Sequence, residues 1–176
     1  MDFVVAAYSI TEERRERVAF GGPYFETGQG LLVRLTDTDI TGPAALDGKG
    51  LCSVTRSTSA QKVRDGSARG VRLVEYGDYS DCVTALLAGK VDAVTTDEVI
   101  LAGYVAANPE LLKLVGEPFT TERYGMGLAK EDTAGLADVN AALEEMIGSG
   151  EWRAALECNL GPSGMDLPEP PQVADG

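Results

Sequence analysis

Arg14 lies five residues past Ser9, with Thr11 between them. A guanidinium presents a planar fork that meets a carboxylate through two parallel hydrogen bonds, a geometry lysine lacks. A hydroxyl at a strand end can donate to the same group. The alternative is plainer: Ser9 caps a helix, and Arg14 pairs with Glu12 or Glu13 on a solvated face. Farther on, Arg56-Ser57-Thr58 follows one apolar run and opens a helical one. The amide groups of such a helix start attract anions, and hydroxyls there either add donors or simply cap. Asp97 follows Val91–Thr95 and precedes a third helical run. Its carboxylate can accept bonds from an ammonium group at the strand's carboxyl end, where ligands collect in open α/β sheets, or it can cap its own helix. Together these residue types suit a small molecule that is anion and cation at once.

The elements that must position them alternate between strand-like and helix-like runs. Asp2–Tyr8 is nearly continuous in apolar residues and predicts a buried strand. Ser9-x-x-Glu12 is a capping-box pattern, predicting a short polar helix through Arg17. Strands are expected at Gly30–Arg34, Leu51–Val54, Val71–Tyr76, Val91–Thr95 and Arg123–Ala129. Helices should run from Ser57 or Thr58 to about residue 65, from Ser80 to Gly89, and from Asp97 to Ala107, where Asn108-Pro109 ends it. Leu136, Val139, Leu143, Met146 and Ile147 recur at helical spacing and should face a core. One more helix is expected over Glu151–Glu157, around Trp152. This alternation predicts an α/β fold with crossover helices and mostly parallel strands.

Composition narrows the function classes. The 176-residue chain carries 15 basic and 28 acidic residues, a net charge of −13, with its basic residues scattered. Nucleic acid and anionic lipid are poor partners for such a surface. With no histidine, Ser-His-Asp and Cys-His catalysis and the usual zinc and iron sites drop out, so no cofactor or metal is expected. Any enzyme chemistry would fall to Asp or Glu, and no carboxylate pair stands out. Gly21-Gly22 and Gly28-x-Gly30 lack the strand-to-helix order of a phosphate loop. Cys52, Cys82 and Cys158 make an odd count: either Cys52–Cys82 is a disulfide, or all three are buried thiols. The opening Met1-Asp2-Phe3-Val4-Val5 has neither the basic nor the apolar region of a signal peptide, so none is expected in this stretch.

The strings "YSITEERRERVAFGGPYF", "DGKGLCSVTRSTSAQKV", "YSDCVTALLAGKVDAVTTDEVILAGY" and "ERYGMGLAKED" resemble family 3 of the extracellular solute-binding proteins. These are the polar-amino-acid receptors of ABC importers, with a type II periplasmic binding fold, and the actinobacterial glutamate receptors among them are the most similar. The resemblance covers about Asp2 to Leu160 and implies two α/β lobes, joined by two hinge strands, with ligand clamped between them. Residues 2–30 and 127–160 would be the remnant of an incomplete first lobe. Residues 31–126 would form the second lobe with its hinge strands, Gly30–Arg34 and Arg123–Ala129. Residues 161–176 would be a proline-rich, exposed, mobile tail.

Carried over by position, Arg14 and Ser9 would bind the ligand's α-carboxylate, Thr58 with Ser57 would reach it from the second lobe, and Asp97 would hold the α-ammonium. Arg56 stands where the family usually has glycine; it would meet a side-chain carboxylate or crowd the pocket. Ala6 and Ala7 replace the serine or glycine common in members that bind through a hydroxyl pair. The implied ligands are glutamate, aspartate or glutamine, the implied partner is an ABC permease, and the implied location is extracytoplasmic. The family's opening strands and helices precede the segment where this chain starts. A first lobe without them would expose a sheet edge, open to strand exchange in a homodimer. Alternatives are a fold remnant without ligand and, on the same fold, a dehydratase-like enzyme.

Overall fold

The computed structural model describes residues 2–63 and 70–173. The chain divides into two compact units, Met1–Thr27 with Thr121–Gly176, and Gly28–Thr120. In chain order the first unit opens with β1 (Phe3–Val4), α1 (Glu12–Arg15) and β2 (Val18–Thr27). The second unit follows with β3 (Gln29–Arg34), β4 (Gly50–Val54), α2 (Thr58–Lys62), β5 (Arg72–Tyr76) and α3 (Tyr79–Leu87). It closes with β6 (Ala93–Asp97), α4 (Glu98–Ala107) and β7 (Leu112–Val115). The chain then returns to the first unit for β8 (Glu122–Ala129), α5 (Thr133–Gly148) and α6 (Glu151–Asn159).

The second unit is a five-stranded sheet in the order β5-β4-β6-β3-β7. Side chains alternate across it with a period of two. Leu32, Cys52 and Val94 enter a core with α3 and α4 residues such as Leu86 and Leu101. Leu31, Val33, Leu51 and Ala93 enter the core on the opposite face with Ile40, Leu46 and Val63. A sheet buried on both faces explains why its strands read as unbroken apolar runs. The predicted helix from Ser57 is present to Lys62; the rest of it, toward residue 65, lies outside the described residues.

Direction is where the expectation fails. β4 runs parallel to β5 and β6, but β3 pairs antiparallel with both β6 and β7, and the first unit's sheet, β1-β8-β2, is antiparallel throughout. The strands among the described residues are therefore mixed rather than mostly parallel. Caps also differ from expectation. Thr11, not Ser9, caps α1, which stops at Arg15. Asp78, not Ser80, caps α3, accepting from Asp81 N at 2.9 Å, while Ser80 Oγ donates to the same carboxylate at 2.6 Å. These bonds hold Asp78 below the usual carboxylate range, the Ser80 hydroxyl contributing most.

Cys52 and Cys82 form a disulfide, with Cα atoms 5.6 Å apart, tying β4 to α3. Both are fully buried. Cys158 is a free, exposed thiol.

In the first unit α5 packs on β2 where Gly21 leaves room: a Cβ there would meet Val139 Cγ1 at 2.9 Å, and Asn140 Oδ1 accepts from Gly22 N at 2.9 Å. Trp152 on α6 is buried and donates from Nε1 to Tyr24 O at 2.7 Å. Of the five α5 residues expected to face a core, Leu143 is buried and the other four are half-buried. Leu143, Met146 and Trp152 line an apolar groove of about 400 Å³ with Phe3, Val5 and Met126.

The buried strand expected at Asp2–Tyr8 is not found. Phe3 and Val4 pair with Leu128 and Gly127 as a two-residue strand, the ladder on β8 resumes only at Tyr8, and Phe3, Val4 and Val5 are 49%, 41% and 54% exposed. Their apolar character has no covering layer among the described residues. The segment after Leu160, expected to be exposed, is partly docked: Arg153 Nη1 donates to Pro168 O at 3.0 Å, and Pro171 is buried.

Candidate functional site

In the first unit, Tyr8–Ile10 extend the antiparallel ladder on β8. Gly125 N donates to Tyr8 O at 3.0 Å, Ile10 N donates to Arg123 O at 2.8 Å, and Ser9 bridges Tyr124. This pairing buries Ser9. Thr11 Oγ1 accepts from Arg14 N at 3.2 Å, which places Arg14 in the first turn of α1. The Arg14 side chain then folds back: Nη1 donates to Ser9 O at 2.8 Å, and the guanidinium lies 4.7 Å from the centroid of the Tyr8 ring. Among the described residues it forms no ion pair with Glu12, Glu13 or any other acid. A carbonyl and an aromatic face fix its orientation, and its remaining N–H donors are not taken up by a carboxylate.

In the second unit, β4 and β6 are adjacent and parallel, so their carboxyl ends lie side by side. Ser53, buried on β4, links them: its Oγ donates to Thr95 O at 3.0 Å and lies 3.1 Å from Ser57 Oγ. Ser57 caps α2, accepting from Ala60 N at 3.0 Å, and Thr58 begins that helix half-buried. Between β4 and α2, Ser57 N donates to Val54 O at 3.1 Å and closes a four-residue turn. Arg56 holds that turn's third position at φ 64°. Type II turns need a positive φ there and favour glycine, and a left-handed L-residue costs about 1–2 kcal/mol.

Asp97 ends β6, opposite Gln29 of β3, and is buried. It occupies the N-cap position of α4, yet its side chain makes no capping hydrogen bond to that helix. The simple self-capping alternative is therefore set aside. Glu98 next to it has its carboxyl pushed above the ordinary value, first by burial and second by Glu117.

Ser9 and Arg14 thus come together in one unit; Arg56, Ser57, Thr58 and Asp97 gather at one sheet end in the other. The sequence reading missed Tyr8 and Ser53, which position Arg14 and Ser57. A lone serine within the apolar run Leu51–Val54 was the available signal for Ser53. Tyr8 carried no such signal, because its contact with Arg14 follows from a backbone fold that periodicity does not encode. Among the described residues there is no cluster of three or more groups that could hold a metal, and no helix is long and apolar enough to cross a membrane.

The pattern of family 3 of the bacterial extracellular solute-binding proteins matches residues 1–161. The chain belongs to this family. It is 49% identical to the glutamate-binding protein GluB of Corynebacterium efficiens, over 92% of this chain and 56% of the relative. It is 37% identical to the ABC transporter glutamine-binding protein GlnH of Bacillus subtilis, over 86% of this chain and 55% of that protein. The chain therefore spans about half the length of these curated relatives. Among solved structures, an ancestral arginine-binding protein bound to glutamine superposes with a TM-score of 0.84 at 38% identity, covering 92% of this chain and 72% of the other. The fold is that of the type II periplasmic amino-acid-binding proteins.

Proposed function

We propose that the chain is, or is part of, the substrate-binding component of an ABC amino-acid importer, taking glutamate or a similar polar amino acid such as aspartate or glutamine. The observation that carries this reading is Arg14, a guanidinium oriented by Ser9 O and the Tyr8 ring and not neutralised by the acids beside it. Such a group is prepared for an α-carboxylate, with Ser9 beside it. In the second unit Thr58 adds a hydroxyl donor, Ser57 fixes the start of its helix with its own proton directed to Ser53 Oγ, and Asp97 supplies the acceptor for the α-ammonium. Charge-assisted hydrogen bonds of this kind contribute about 1.5–3 kcal/mol each, so a few give specific binding without a chemical step. The names of the relatives, glutamate-binding and glutamine-binding, support the ligand class. The family also supports an extracytoplasmic location and a membrane permease as partner.

Thermal melting with glutamate, glutamine and aspartate tests the reading. A ligand at about 100 times its dissociation constant adds about 2.7 kcal/mol of stability. A rise in melting temperature with at least one of the three is expected. Unmoved melting curves with all three would refute the reading.

A second reading has its own observation. β1 is a two-residue edge strand, and the exposed Phe3, Val4 and Val5 lie on it or next to it. An open edge with apolar side chains invites pairing with another chain. In this reading the chain is an assembly module that exchanges this strand within a homodimer. Light scattering across a hundredfold concentration range should then show a mass rising to twice the monomer. A monomer at every concentration would exclude it.

A further inference from the structure

The one non-glycine residue with positive φ among the described residues is Arg56. Its turn suits glycine, so a side chain there is kept against the backbone's preference. The residue is exposed, and among the described residues its guanidinium enters no ion pair. The acid at the matching position, Asp78, follows the adjacent strand β5 as Arg56 follows β4, and it accepts from Ser80 Oγ and Asp81 N. Solubility does not call for this cation either, since the chain already carries a net charge of −13. The positions next to Arg56 are polar: Ser57 and Thr58 follow it directly in the chain, and Asp97 ends the strand next to its own.

We infer that Arg56 sets the charge of the ligand's side chain, favouring an amino acid with a second carboxylate and disfavouring one with a cationic side chain. The inference rests on the amino-acid-receptor reading above. With the α-ammonium at Asp97 and the α-carboxylate on hydroxyl and guanidinium donors, both charged groups common to every amino acid are satisfied. Arg56 is then a cation left over at the same sheet end. It attracts an acidic side chain most, offers an amide oxygen only a weaker hydrogen bond without charge pairing, and repels a guanidinium or ammonium.

Calorimetric titration with glutamate, glutamine and arginine separates the possibilities. The wild-type chain is expected to prefer glutamate to glutamine and to bind arginine weakest. Arg56→Gly should lower glutamate affinity about tenfold or more, as loss of one charge-assisted bond would, while glutamine affinity stays within about threefold. Arg56→Lys should keep the preference, and Arg56→Gly should melt no lower than wild type because glycine suits the turn. A glutamate-to-glutamine ratio unchanged by Arg56→Gly, in a chain that binds either, overturns the inference and leaves the receptor reading intact. A wild-type chain that binds no amino acid overturns the receptor reading and this inference with it.

Discussion

Alanine at Arg14 or at Asp97 is expected to lower glutamate affinity about a hundredfold or more, measured by calorimetry. Arg14 offers a carboxylate two parallel bonds, and two charge-assisted bonds of about 1.5–3 kcal/mol each correspond to losses of that size or greater. The folded chain gives up little in exchange. Arg14 is half-buried, and among the described residues its side chain is held by one hydrogen bond to Ser9 O and by the Tyr8 ring face. Arg14→Lys keeps the charge and loses the fork, so it should fall between wild type and alanine. Asp97 is buried, so its alanine variant combines lost ligand contact with disturbed packing. Asp97→Asn keeps the volume and removes the charge, and should lose most of the affinity with a melting temperature closer to wild type. Unchanged affinity in Arg14→Ala or in Asp97→Asn would discard the site.

Removing the disulfide is expected to destabilise the second unit by about 3–4 kcal/mol, the loop-closure term for a crosslink spanning 30 residues of sequence. The bond joins β4, a strand inside the sheet, to α3, which packs over it, and it lies in the core with Leu86 and Val94. Both sulfurs are inaccessible in the folded chain, so reductant alone acts only as the unit opens. The paired variant Cys52→Ala/Cys82→Ala avoids that delay. Its denaturant midpoint, followed by far-UV circular dichroism, should fall clearly below wild type. Coincident midpoints would show that the crosslink is dispensable.

Much of the second unit was legible because burial on both faces writes itself as apolar runs: Leu51–Val54 and Val91–Thr95 each became a strand within two residues of expectation. Strand direction was not legible, since periodicity reports burial and says nothing of the neighbour's polarity. β3 therefore passed for one more parallel strand, and β7, four residues following α4, passed unnoticed. Caps were ambiguous wherever two competent residues stood close together, Ser9 and Thr11, or Asp78 and Ser80. Phe3-Val4-Val5 misled most, because composition registers a wish for burial whether or not a layer exists to satisfy it. The candidate site residues were singled out by type, as a fork, two hydroxyls and a carboxylate, and their binding role is the one proposed above. The supports that orient them, Tyr8 under Arg14 and Ser53 beneath Ser57, depend on folded geometry.

The second unit leaves and rejoins the first through neighbouring strands: β2 ends at Thr27, which stands opposite Glu122 in β8. Its own ends are stitched together as well, since Gln29 N donates to Thr120 Oγ1 at 3.0 Å. Topologically it is a cassette set into a hairpin, with its crosslink and both of its cores inside its own borders. On the receptor reading, a gene segment for residues 28–120, which carries Arg56, could therefore be exchanged between homologues with only two junctions to repair, changing side-chain preference while the flanking β2 and β8 strands are inherited unchanged.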